Sequence, residues 1–136
     1  MKALLDSSAW LAHLFGEAGG DEVHALLSDE DSEVFLCSLS LPEVFARIHS
    51  LGKSEDWPLV WQNYQPLFQD ILPVDDLVAF KAIELRQACP ERLPTIDSLI
   101  AATAYHHGLV LVHRDPHLAS IPTSLLGSVI LPEKNP

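Results

Sequence analysis

A chain of 136 residues, 48% hydrophobic and 20% charged, is long enough to bury one core and too apolar to be disordered. Nineteen acids against eight lysines and arginines give a net charge of −11, which argues against a general nucleic-acid binder built on a basic face; a phosphate here needs local cations or a metal. Two cysteines, Cys37 and Cys89, are too few for a disulfide scaffold, no apolar run approaches the roughly 20 residues of a membrane span, and no signal-peptide core opens the chain, so a cytoplasmic, reduced protein is expected.

The first element is Lys2–Leu5, an aliphatic run of strand length that ends at an acid, Asp6. Helical periodicity follows at about 7–15 and 20–28, where Asp21-Glu22 and Asp29-Glu30-Asp31 read as solvated helix ends. Glu33–Cys37 is the second strand candidate. A helix over about 40–51 opens at Ser40-Leu41-Pro42-Glu43, a capping-box spacing with Ser40 as N-cap. Residues 54–68 place Trp57, Val60, Trp61, Tyr64, Leu67 and Phe68 at helical spacing, as a core stripe or a partner groove, and Pro66 should kink or end that helix.

Ile71–Val74 is the third strand candidate, followed by a helix at about 76–89. Pro90 and Pro94 break the chain before a helix at about 96–107 that carries Asp97 in its first turn. Leu109–His113 is the fourth strand. Asp115 comes next, before Pro116, which suits the first position of a helix. Val129–Leu131 is the fifth strand. Residues 1–132 read as one domain and 133–136 as a tail. His24, His49, His106 and His107 lack metal-ligand spacing; His113 and His117 flank Asp115, and neither is assigned to catalysis.

Strands alternating with helices imply a parallel sheet covered on both faces. Taken singly, Asp6, Glu43, Asp97 and Asp115 are ordinary helix-start acids that cap or complement the helix dipole. Topology changes their meaning, because segments following parallel strands emerge at one edge, where ligands bind. Four carboxylates gathered there repel one another, by several kcal/mol per close pair at an effective dielectric near 20. A divalent cation relieves that repulsion at neutral pH, and an all-oxygen set suits Mg²⁺, with Mn²⁺ able to substitute. The chemistry this points to is metal-assisted phosphodiester hydrolysis.

Asp6-Ser7-Ser8 after the first strand, Pro42-Glu43-Val44, Thr95-Ile96-Asp97 running on to Thr103, and Leu111-Val112-His113-Arg114-Asp115 together resemble the PIN domain. The small size is similar to that of the VapC-type toxins of bacterial toxin–antitoxin pairs. The resemblance runs from Lys2 to about Pro132 and implies a three-layer α/β/α fold around a mostly parallel sheet. It also implies a Mg²⁺-dependent endoribonuclease, a homodimer silenced by a small VapB-type antitoxin. Asp6, Glu43, Asp97 and Asp115 stand where the family keeps its metal-holding acids, with Glu43 a ligand or base. Ser8 matches a hydroxyl position near the first acid, and Arg47 and Arg114 are candidate phosphate contacts. A haloacid-dehalogenase phosphatase would need a second Asp where Ser8 stands, and a receiver domain would need an acid pair at Asp6 and a late lysine. An inactive PIN-like protein-binding module is the remaining alternative; the four filled acidic positions argue against it.

Overall fold

In the computed structural model, residues 1–133 are described; residues 134–136 of the expected tail lie outside them. Five strands, β1 (Lys2–Leu5), β2 (Glu33–Cys37), β3 (Asp70–Leu72), β4 (Val110–His113) and β5 (Ser128–Ile130), form one sheet in the order β3-β2-β1-β4-β5. Every pairing is parallel, with Leu4 opposite Phe35 on one side and Leu111 on the other. The helices are α1 (Ser7–Leu14), α2 (Gly20–Ser28), α3 (Ser40–Ser50), α4 (Trp57–Tyr64), α5 (Asp76–Ala88), α6 (Thr95–His107) and the short α7 (Pro116–Ala119).

The pleat of central β1 divides the core into two. Leu4 points into a cluster with Val78, Leu85, Ile100 and Leu111, roofed by α5 and α6. Ala3 and Leu5 point the other way, toward Trp10, Val23, Val44 and Tyr64 from α1 to α4. Three layers result. Trp10 is 0% exposed, and its ring lies 5.4–6.3 Å from those of Trp57, Trp61, Tyr64 and Phe68. A side chain of that size contributes several kcal/mol of burial at about 25 cal/mol per Å². Helices α1 and α2 meet closely at Gly20, where an added Cβ would lie 2.7 Å from the Ala12 carbonyl oxygen. Gly108, at φ 67°, ends α6 and turns the chain into β4.

Two local expectations are revised. The helix anticipated over 54–68 is broken into a 3₁₀ turn at Ser54–Asp56, α4, and a second 3₁₀ turn at Gln65–Leu67 around Pro66. Its stripe is only partly core: Tyr64 and Phe68 are buried, Trp57, Val60 and Trp61 are half-buried, and Leu67 is exposed. The capping box at Ser40 is not formed. Ser40 is the first helical residue after Leu39, and its buried hydroxyl meets Ser7 instead.

Candidate active site

Four separate elements deliver the four acids to the carboxyl edge of the sheet. Asp6 leaves the end of β1 as the N-cap of α1, accepting the Ala9 N–H at 2.8 Å. Asp115 follows β4 as the N-cap of α7, where its Oδ1 accepts the His117 N–H at 2.8 Å. Glu43 lies in the first turn of α3 after β2, and Asp97 in the first turn of α6.

Hydroxyls and backbone amides lock the cluster. The Ser8 hydroxyl donates to the Asp6 carboxylate, 2.7 and 2.8 Å from its two oxygens, and accepts the Arg114 N–H at 3.1 Å. A single side chain in α1 thus bridges Asp6 to the segment that carries Asp115. Ser7 Oγ donates to Glu43 Oε1 at 2.6 Å and lies 2.9 Å from Ser40 Oγ, tying α3 to α1. The Asp115 N–H donates to Nδ1 of His113, which is buried at the end of β4.

The carboxylates sense one another. Asp6 is 4% exposed, and burial pushes its pKa from 3.8 up to about 7; the hydrogen bonds from Ser8 and Ala9 pull it down, while the charges of Asp115 and Asp97 push further up. Asp97 is pushed up to about 6, again chiefly by burial, then by Asp115 and Glu43, with His117 acting against them. Asp6 therefore couples to Asp97 and Asp115, and Asp97 couples to Glu43. Such a set has unmet demand for positive charge at neutral pH.

Ligand atoms of Asp97, Asp115 and His117 all lie within 4.8 Å of one another, a fit for one divalent cation. The donors are mostly carboxylate oxygens, which suits a hard ion. The two basic residues fare differently. Arg47 is exposed on α3, one turn after Glu43. The Arg114 side chain is only 8% exposed, and its guanidinium donates to Glu17 Oε1 at 2.6 Å and to the Ala18 carbonyl at 3.1 Å. It ties the loop after β4 to the end of α1 and does not stand open to a phosphate.

Sequence reasoning missed two residues. Ser7 sits in the motif beside Asp6, but nothing local reveals that it reaches Glu43. His117 was seen as a neighbour of Asp115, and its approach to Asp97 depends on how α6 packs. Beside Glu43, an apolar concavity of about 410 Å³ is lined by Leu41, Pro42, Phe45, Trp57 and Trp61.

The family profile of the PIN domain matches residues 3–123. This chain belongs to the PIN-domain family. The VapC ribonuclease Mb1587 of Mycobacterium bovis and the ribonuclease VapC11 of Mycobacterium tuberculosis are each 31% identical to this PIN domain over 121 residues, covering 82% of it and 85% of their own length. Among solved structures, VapBC2 from Rickettsia felis, bound to a promoter DNA fragment, superposes with a TM-score of 0.77 at 17% identity, over 97% of this chain and 100% of the other. A toxin–antitoxin complex from Klebsiella pneumoniae gives 0.67 at 25% identity, over 93% and 95%. VapC20 of Mycobacterium tuberculosis, a sarcin–ricin-loop-cleaving toxin, gives 0.66 at 15%, over 86% and 92%. The structures below 25% identity bear on the fold alone, and they agree with the α/β/α layers of this PIN domain.

Proposed function

We propose that this PIN domain is a metal-dependent endoribonuclease that hydrolyses RNA phosphodiester bonds, as the toxin of a type II toxin–antitoxin pair. The observation that carries the proposal is the meeting of Asp6, Glu43, Asp97 and Asp115 from four elements at one sheet edge, where burial first and the neighbouring carboxylates second raise Asp6 and Asp97. Curated relatives at 31% identity named as VapC ribonucleases support the reaction class.

Asp97 and Asp115 would hold the ion, with Asp6 beneath them and Glu43 beside Asp97; Mg²⁺ is the expected ion and Mn²⁺ a substitute. When bound, such an ion neutralises the scissile phosphate and lowers the pKa of water. The chain's own residues do the rest. Ser8 fixes the Asp6 carboxylate and keeps the Arg114–Asp115 segment in register. Ser7 orients Glu43, the group that would accept a proton from the attacking water. Arg47, exposed near Glu43, is the available cation for a flanking phosphate, whereas Arg114 works at a distance by bracing the loop.

The chain would act as a homodimer in the cytoplasm, restrained by a small VapB-type partner. Complexes of that kind are named among the structural neighbours, and no helix among the described residues is long and apolar enough to cross a membrane. The test is cleavage of total cellular RNA with Mg²⁺, Mn²⁺ or EDTA. Cleavage should require the ion and vanish in Asp97→Ala. Undiminished cleavage by that variant, or none by the folded wild type at any ion concentration, would overturn the proposal; the second outcome would favour an inactive binding module.

A further inference from the structure

Nothing in an all-carboxylate reading of this edge requires His117, yet its imidazole is placed as a ligand would be. Its Nδ1 lies 3.2 Å from Asp115 Oδ1 and 3.9 Å from Asp97 Oδ2. With metal–ligand bonds of about 2.1 Å, donors on an octahedron stand about 3.0 Å apart when adjacent and about 4.2 Å apart when opposite. Both separations fall inside that range, and ligand atoms of all three residues lie within 4.8 Å of one another, so small side-chain shifts would let one six-coordinate ion touch all three. The His117 side chain is 56% exposed and makes no other hydrogen bond among the described residues than those to Asp115, so a small rotation suffices to turn a ring nitrogen toward an ion. Two carboxylates leave such an ion short of protein donors, and a third lies ready.

We propose that His117 is a nitrogen ligand of the cation held by Asp97 and Asp115, and that it makes the site select Mn²⁺ over Mg²⁺. The inference rests on the nuclease reading above and changes what that reading expects of the ion. Carboxylate oxygens scarcely separate the two ions. Imidazole does, because Mg²⁺ favours oxygen and keeps its waters, while transition-metal ions take nitrogen donors readily. His117 follows Asp115 by two residues, in the first turn of α7, and that short helix sets the ring beside Asp97.

The experiment measures ion binding without turnover. Mn²⁺ and Mg²⁺ are titrated into wild type, His117→Gln and Asp97→Asn by calorimetry, and the Mn²⁺-loaded proteins are examined by pulsed electron paramagnetic resonance for coupling to ¹⁴N. Wild type should bind Mn²⁺ at least about tenfold more tightly than Mg²⁺, with an imidazole nitrogen signal. His117→Gln should lose the signal and most of the discrimination, mainly through weaker Mn²⁺ binding. A nitrogen signal or a Mn²⁺ preference that survives His117→Gln would overturn the assignment, as would wild-type Mn²⁺ without a nitrogen signal. Asp97→Asn separates the two levels. If it abolishes binding of both ions while His117→Gln changes neither, the active-site reading stands and the histidine ligand falls. If Asp97→Asn leaves both ions bound as before, the active-site reading falls and takes this inference with it.

Discussion

Replacing Asp6 by Asn should stabilise the metal-free protein at neutral and alkaline pH while abolishing its function. Asn keeps the side-chain oxygen that caps α1 and meets Ser8, so the fold loses little. What it removes is a buried charge beside Asp97 and Asp115. Because the native pKa of Asp6 is about 7 against 3.8 for an ordinary aspartate, the folded chain holds a proton across that window that the unfolded chain has lost. Stability therefore falls as pH rises from 3.8 to about 7, and the deficit is complete above that. At about 1.4 kcal/mol per pH unit the full deficit is about 4 kcal/mol, of which roughly 2–3 develops between about pH 5 and pH 8. For a chain of this size that corresponds to a melting temperature lower by about 10 °C. Asp97, raised chiefly by burial and then by Asp115 and Glu43, pushes in the same direction. Urea unfolding in EDTA, followed through the buried Trp10, measures the difference. The stability gap between wild type and Asp6→Asn should widen by roughly 2–3 kcal/mol from about pH 5 to pH 8, with the variant more stable. Saturating divalent cation should narrow or reverse that order, because the wild type, with one more carboxylate at the site, gains more from the ion. Parallel profiles from pH 5 to pH 8 would refute the reasoning, since Asp6 would then ionise like an exposed carboxyl.

Three further outcomes are expected. Ser8→Ala removes the hydroxyl that joins Asp6 to the Arg114 N–H, so it should cost about 1–3 kcal/mol in urea unfolding and reduce cleavage as well. Ser7→Ala frees Glu43 from its side-chain hydrogen bond to α1; kcat for RNA cleavage should fall about tenfold or more with KM nearly unchanged, and an unaltered kcat would remove Glu43 orientation from the mechanism. Gly20→Ala drives a Cβ to 2.7 Å from the Ala12 carbonyl oxygen, and the separation of α1 from α2 that this forces should lower stability by about 1–3 kcal/mol in thermal melts.

The strands and the gathering of the four acids at one edge were legible for the same reason: both are written in local runs. Aliphatic stretches such as Leu109–Val112 can only be buried, and their alternation with helices implied a parallel sheet whose carboxyl edge collects the residues that follow. That reasoning brought Asp6, Glu43, Asp97 and Asp115 to one edge without any view of the strand order, and the helix starts that carry them lie there. It failed where a residue's partner is distant in the chain. Ser40 looked like an N-cap, but Ser7, 33 residues earlier, engages its hydroxyl. Arg114 looked like a phosphate contact, yet Glu17, 97 residues away, holds its guanidinium. The aromatic segment 54–68 carries a continuous helical period, but Pro66 and the packing of Phe68 onto Trp10 break it into turns. Periodicity reports which face is apolar, and it carries no information about which distant group will complete a hydrogen bond.

Capping and metal binding first looked like rival explanations for the acids, and the geometry makes them complementary. A carboxylate has two oxygens. At Asp115, Oδ1 takes the His117 N–H that begins α7, which fixes the carboxyl group in place. At Asp6, Oδ1 takes the Ala9 N–H, and Ser8 spans both oxygens from the side. Each cap thus removes rotational freedom that an exposed aspartate would lose only on binding an ion, and binding to such a preset group costs less entropy. The repulsion that remains among the preset carboxylates is the other half of the same device. It adds to burial, the larger cause, in raising Asp6 and Asp97, and it would be relieved by a cation. Binding a cation and stabilising the fold are then one event, which is why the Asp6→Asn variant should be the more stable protein and the inactive one.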